Sequence, residues 1–171
     1  MFGFYSVIFI FLLAIFAEFL SPHSYKKTYP DKLYYPPQAL NFIDNEGNFH
    51  LRPFVYDLVE EMDMETFEFT FTESEEMIPV YFFIKGDEYS FFGIKSNIRL
   101  FGNTNGMIHI LGTDNMGRDI LSRMLIGTQI TLLFAMIAVF ASLILGLIVG
   151  ISSGYYGGTY DLIAQRVTEF A

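Results

Sequence analysis

The sequence predicts a membrane protein: α-helical transmembrane segments with a mostly β extracytoplasmic loop domain inserted between the first two spans. Three observations predict it. From Ile130 to Ile151 no side chain is ionisable, and an apolar run of about twenty residues has the length of a bilayer span. Phe2 to Leu20, FGFYSVIFIFLLAIFAEFL, is a second such run, with one carboxylate, Glu18, near its far end. Between the two lies a polar stretch that holds most of the charge of a chain that is 52% hydrophobic, above the usual share for a soluble domain.

Residues 1–20 read as the first transmembrane helix. A charge at mid-membrane costs about 2.5–3.5 kcal/mol or more, so Glu18 marks an edge. The run differs from a secretory signal: no basic residue precedes it, it is longer than a signal core, and no A-x-A pattern closes it.

Residues 21–110 read as the loop domain. Pro22, Pro30, Pro36 and Pro37 keep Ser21 to Gln38 extended. Asp44-Asn45-Glu46-Gly47-Asn48 is a turn cluster between Leu40–Ile43 and Phe49–Leu51, a hairpin signal. Thr66 to Thr72 alternates, with Phe67, Phe69 and Phe71 on one face and Glu68, Thr70 and Thr72 on the other, the period of a half-buried strand. Val80 to Ile84 reads as a further strand closed by Lys85-Gly86-Asp87, with Tyr89 to Ile94 as its partner. From Ser21 to Ile110 seven Lys or Arg face fourteen Asp or Glu. A field of that sign repels nucleic acid and anionic membrane surfaces.

Little in this domain points to chemistry. Without cysteine there are no disulfides and no thiolate metal sites. His23, His50 and His109 are far apart and lack metal-ligand spacing. Glu73, Glu75 and Glu76 lack the order of a calcium loop, and no nucleophile elbow, phosphate-binding loop or zinc-protease helix occurs. The expectation is a protein that is not an enzyme and takes no cofactor or metal.

Residues 111–127 read as an amphipathic interfacial helix. Thr113 and Asp114 suit a helix cap; Met116, Ile120 and Met124 recur at fourfold spacing beside Leu121 and Leu125, opposite Arg118, Asp119, Ser122 and Arg123. Asp119 and Arg123 are spaced for an ion pair on one helical face. Residues 128–153 read as the second transmembrane helix. In it Ala138, Ser142, Gly146, Gly150 and Gly154 fall every fourth position and share one face. Small residues at that spacing let helices approach closely in lipid, so this is the expected helix-packing face. Residues 154–171 read as a cytoplasmic glycine-rich turn and the start of another helix, with Gly157 and Gly158 free to take positive φ and Asp161 favoured at the helix start.

LGTDNMGRDILSRMLIGTQITLLFAM and LGLIVGISSGYYGGTYDLIAQRVTE resemble the permease subunits of bacterial ABC importers in the dipeptide, oligopeptide and nickel group, and in particular the second of the two paired permeases. The loop segments YYPPQALNFID, GNFHLRPFVY, FFIKGDEYSFFGIKSNIRLFG and HILGTD are similar in order to the larger extracytoplasmic loop of some members. The resemblance implies a multi-pass protein of the bacterial inner membrane, N-terminus cytoplasmic and loop outside. Its implied partners are a second permease subunit, two ATPase subunits, an extracytoplasmic substrate-binding protein and the lipid bilayer. It implies a structural role at the outer interface for Gly112, Thr113, Asp114, Gly117, Arg118 and Asp119. It also implies further spans and an E-A-A-like loop after Ala171, so the chain reads as the N-terminal portion, roughly half, of a permease. The alternative is a membrane-anchored extracytoplasmic interaction domain without transport activity.

Overall fold

A computed structural model describes residues 2–62, 69–91, 94–103 and 108–170. It contains an N-terminal apolar helix, a β-rich middle domain and a long apolar helix toward the C-terminus, the make-up of a membrane protein. The chain divides into two compact units, residues 1–129 and 130–171.

In the first unit α1 spans Phe2–Ile15 and carries no charged residue. Most of its side chains are exposed, Phe2 at 94% and Phe4 at 69%. The helix breaks at Phe16, whose ψ is 14°, and resumes as the single turn α2, Ala17–Leu20. Ser21 then adopts extended geometry, as a residue before proline must. From Ser21 to Leu40 the chain forms neither helix nor strand.

β1 (Asn41–Ile43) pairs antiparallel with β2 (Phe49–Met62), and β2 with β3 (Phe69–Pro79). The β1–β2 turn is organised by Asp44. Its carboxylate accepts from His50 Nε2 (2.9 Å), the Asn48 amide N–H (2.8 Å), Asn48 Nδ2 (3.1 Å) and the Glu46 N–H (3.0 Å). These bonds, that from His50 foremost, hold its pKa down at about 2. Gly47 takes φ 88°. Of the alternating segment expected at Thr66–Thr72, Thr66, Phe67 and Glu68 lie outside the described residues; from Phe69 onward it is strand.

β4 (Tyr81–Phe91) and β5 (Ile94–Gly102) form a separate antiparallel pair. Here the structure corrects the sequence reading. Lys85-Gly86-Asp87 does not close a strand, and Tyr89 to Phe91 belongs to β4 itself; the partner is β5. The register passes from Lys85↔Ile98 to Tyr89↔Ser96, four residues on β4 against two on β5, so the glycine sits in a bulge. The reason is steric. A Cβ at Gly86 would lie 2.5 Å from Arg99 Cδ and 2.8 Å from Nε, and the bulge lets the arginine cross the strand.

Arg99 is 3% exposed. Its Nη1 donates to the carbonyls of Ser21 (2.7 Å), His23 (3.2 Å) and Glu18 (3.3 Å), and its Nη2 to that of Asp87 (3.2 Å). A short helix leaves its last carbonyls without intrahelical donors, and the guanidinium supplies them while α2 packs on β5. Val55, Ile78, Val80 and Ile108 form an apolar core cluster, with Phe101 and Ile110 against them.

α3 runs without interruption from Ile120 to Tyr156. It is the one helix among the described residues long and apolar enough to cross a membrane. At 1.5 Å per residue its 37 residues exceed the ~30 Å of a bilayer core. In the second unit its side chains from Leu133 to Ile151 are all exposed. α3 closes with Gly157 N–H donating to Ser153 O (2.9 Å). Gly157 and Gly158 both have positive φ, 58° and 57°, and α4 follows at Gly158–Phe170. Asp161, in the first turn of α4, accepts from Ser153 Oγ and from Gln165 Nε2 (3.1 Å). Arg166 Nη1 lies 3.4 Å from Glu169 Oε2.

Replacing Arg99 by Met keeps the bulk and removes every donor. Four carbonyls then lose a charged partner in a buried site, and we expect a loss of about 3 kcal/mol or more, measured as a lower urea midpoint of the detergent-solubilised chain by near-UV circular dichroism.

Candidate functional site

The segment expected to be an interfacial helix from Leu111 is instead a turn. The physical reason lies in Asp114. Its Oδ1 accepts the N–H groups of Met116 (2.9 Å) and Arg118 (3.0 Å), and its Oδ2 accepts Arg118 Nε (2.8 Å). These are the bonds of an Asx turn, which competes with a helix cap for the same side chain. Asp114 N–H donates to Arg118 O (3.0 Å), Gly117 N–H to Asp114 O (3.0 Å), and Thr113 bridges to Asp119. Only after this small hairpin does the backbone become helical, at Ile120.

The two glycines are obligatory for steric reasons. Gly112 and Gly117 have φ of 74° and 67°, a region costly for any residue with a Cβ. A Cβ at Gly112 would also overlap Tyr35 O, and one at Gly117 would overlap Tyr29 O. The extended segment from Tyr29 to Gln38 is laced to the turn in return. Tyr29 N–H donates to Gly117 O (2.9 Å), Thr113 N–H to Tyr35 O (2.9 Å), and Tyr34 N–H to Asp114 O (3.2 Å). Thr113 Oγ1 accepts from Tyr35 N–H (3.0 Å) and donates to Lys32 O (2.5 Å). Gln38 Oε1 accepts from His109 N–H (2.7 Å). The Tyr35 hydroxyl donates to Asp57 Oδ1 (2.7 Å) and accepts from Leu58 N–H (2.8 Å), at the register shift of β2.

Asp119, 3% exposed, starts α3. Its Oδ2 accepts Ser122 N–H (2.7 Å) and Ser122 Oγ (2.6 Å), and its Oδ1 faces His109 Nδ1 at 3.0 Å. Both oxygens are taken, so the expected Asp119–Arg123 pair is replaced by an N-cap and a buried histidine contact. Burial alone would raise the Asp119 pKa; the bonds from His109 and Ser122 outweigh it and hold the carboxyl below its usual range. His23 lies beside this group. Its N–H donates to Ser122 Oγ (3.3 Å), its Nε2 is 2.9 Å from Ile108 O, and its Nδ1 is 3.2 Å from the Tyr29 hydroxyl. Burial, with His109 adding to it, lowers the His23 pKa to about 4, and burial raises Tyr29 to about 12.

This arrangement does not activate a nucleophile. The Ser122 hydroxyl donates to the carboxylate and not to an imidazole, so it lacks the serine–imidazole pairing of a hydrolytic triad. What it does is fix geometry. Gly112, Thr113, Asp114, Gly117, Arg118 and Asp119 act together with six residues the motif does not contain: His23, Tyr29, Tyr35, Gln38, His109 and Ser122. Only the Asp119-x-x-Ser122 spacing, a capping pattern, offered a local signal for any of them. Ala138, Ser142, Gly146, Gly150 and Gly154 all lie exposed on α3, and a Cβ added at Gly146, Gly150 or Gly154 would meet no atom within 4 Å. Gly157, Gly158 and Asp161 sit at the α3–α4 junction.

The steric argument predicts a sharp contrast between glycines. Gly117→Ala should destabilise the chain by about 2 kcal/mol or more, from strain plus overlap. Gly127→Ala, in α3 with nothing within 4 Å of the new methyl, should be neutral or stabilising by up to about 1 kcal/mol. Urea midpoints of the two variants test this. A second expectation concerns acid. Hydrogen bonds from Arg118 and Met116, outweighing the opposing effect of burial, hold Asp114 at about 2, below its unfolded value near 3.9. The unfolded chain therefore binds more protons between these values, so the stabilisation from Asp114 is complete above about pH 4 and disappears as pH falls through about 2. Asp114→Asn should remove this part of the acid limb, seen as a shallower fall of the urea midpoint from pH 5 to pH 2.

Residues 1–37 match the family model described as the N-terminal TM domain of oligopeptide transport permease C. The chain is 43% identical over 67 residues to the oligopeptide transport system permease protein OppC of Lactococcus lactis subsp. lactis, covering 39% of this chain and 22% of that protein. It is 46% identical over 61 residues to the dipeptide transport system permease protein DppC of Haemophilus influenzae, covering 36% and 21%. It is 46% identical over 59 residues to the inner membrane ABC transporter permease protein YejE of Escherichia coli, covering 34% and 17%. The chain thus spans about a fifth of the length of the curated relatives it matches. No solved structure matches. Over the matched segments the chain resembles OppC/DppC-type ABC permeases, and it corresponds to their N-terminal portion.

Proposed function

We propose that this chain is the N-terminal part of a permease subunit of an ABC importer for peptides or related small solutes, the second of a pair, in the bacterial inner membrane. The observation that carries the reading is the matched N-terminal transmembrane segment together with relatives whose names describe oligopeptide and dipeptide transport permeases. In this reading α1 and α2 supply the first span, residues 21–110 lie outside, and α3 crosses the membrane through residues 128–153. Residues 154–171 return to the cytoplasm, where Gly157, Gly158 and Asp161 start the next helix. The chain is non-catalytic; ATP hydrolysis belongs to two partner ATPase subunits, and a substrate-binding protein delivers the solute outside.

The physics of α3 supports this role. A helix with uncovered apolar side chains all along its second half needs lipid or protein around it. Its face of Ala138, Ser142, Gly146, Gly150 and Gly154 offers close backbone approach to other helices, which in this reading belong to the two permease subunits. The Gly112–Asp119 turn acts at the outer surface by fixing where α3 begins.

A chimera tests the reading. Residues 1–156 replace the matching N-terminal portion of the Haemophilus influenzae dipeptide permease in cells lacking their own. Dipeptide-dependent growth and co-purification of the ATPase subunits at the parent's level are expected, and Gly146→Leu with Gly150→Leu should lower both. A chimera that reaches the membrane in normal amount yet neither supports growth nor retains the ATPases overturns the reading in favour of an anchored interaction domain.

A further inference from the structure

The buried face of His109 contains a nitrogen without a partner. His109 is 0% exposed, and its Nε2 has no hydrogen-bond partner among the described residues. Its other nitrogen, Nδ1, faces Asp119 Oδ1 at 3.0 Å. Because the carboxylate accepts, Nδ1 carries the proton and Nε2 presents a bare lone pair. Leaving such an acceptor buried and unused costs about 1–3 kcal/mol, and capping α3 requires no histidine at all, since Ser122 already binds Asp119.

His23 is set in the complementary way. Its Nε2 points at the Ile108 carbonyl, which can only accept, so the proton is on Nε2 and the lone pair on Nδ1. The two imidazole rings lie with centroids 5.0 Å apart and planes 40° apart. His23, His109 and Asp119 each offer a donor atom within 4.8 Å of the others. Two imidazoles, one backed by a carboxylate on its far nitrogen, are a donor set that zinc-class ions select. A cavity of about 270 Å³ borders His23. Glu18 and Glu88 on its wall balance Lys26 and Arg99, so net charge does not bar a cation.

We propose that His109 Nε2 and His23 Nδ1 bind a divalent transition-metal ion of the zinc class, with Asp119 orienting His109 from behind. The Tyr29 hydroxyl, 3.2 Å from His23 Nδ1, gives up that contact to the ion, and water completes the sphere. The ion ties the segment after α2 to the start of α3. This site is independent of the transport reading and would stand if that reading fell.

The test uses the untagged full chain in detergent, freed of metal. Titration with Co2+ should give visible ligand-field bands that saturate at one ion per chain and are bleached by Zn2+. X-ray absorption of the Zn2+ form should show two imidazole nitrogens at about 2.0–2.1 Å. Asp119→Asn should weaken binding about 10- to 100-fold, as loss of an outer-shell carboxylate does. His50→Gln, which removes the other histidine paired to a carboxylate, should change nothing. A wild-type chain that binds no Co2+, a Zn2+ spectrum without two imidazoles, or binding abolished by His50→Gln would each overturn the proposal. The wild-type readings need no variant to fold.

Discussion

The first unit depends on a single carboxylate doing two things at once. α3 begins with amide groups that have no acceptor within the helix, and its start is buried. Asp119 answers the Ser122 N–H and hydroxyl with one oxygen and reaches His109 with the other. The cap is thereby bonded to residues on both sides of the hairpin. The hairpin in turn holds the extended Tyr29–Gln38 segment through Gly117, Thr113 and Asp114, and Tyr35 ties that segment to β2. Pull Asp119 out of this arrangement and each of those contacts loses its fixed end.

Arg99 plays the corresponding part at the other helix end. It is a buried cation bonded to four carbonyls; burial lowers its pKa, and Asp87 and Glu18 oppose that only in part. Carbonyl dipoles at the C-terminus of a helix attract positive charge, so α2, though only one turn long, ends on a defined partner. The bulge at Gly86 is the consequence. The ladder of β4 and β5 gives up regular pairing there so that the guanidinium can reach α2.

How much of this was legible in the sequence depended on whether the signal was local. The β1–β2 hairpin was legible because five turn-forming residues stand between two apolar runs, and Asp44 makes its bonds within six residues. The apolar stretch of α3 was legible for the same reason. The start of α3 was not. Asp114 and Asp119 are both side chains able to accept backbone N–H groups, and an Asx turn uses the same chemistry as a cap; only the backbone of Tyr29 and Tyr35, some eighty residues earlier in sequence, decides between them by excluding a Cβ at Gly112 and Gly117. Lys85-Gly86-Asp87 misled in the same way, since a glycine in a bulge and a glycine in a turn look alike until the side chain of Arg99 is seen to cross it. The pairing of His23 with His109 left no mark in spacing at all.

These long-range choices share a direction. A helix meant for lipid gains little from an apolar core, because its side chains are as well solvated by hydrocarbon as by one another. The start of α3 is fixed instead by polar contacts, whose hydrogen bonds specify one geometry. The distribution of residues in this chain follows that division. From Met124 to Tyr160 no Asp, Glu, Lys, Arg or His occurs, while just before α3 Arg118 donates to Asp114 and Asp119 faces His109 Nδ1. A cap made by Asp119, locked by a hairpin that accepts glycine alone at two positions, sets the helical phase of the first turn.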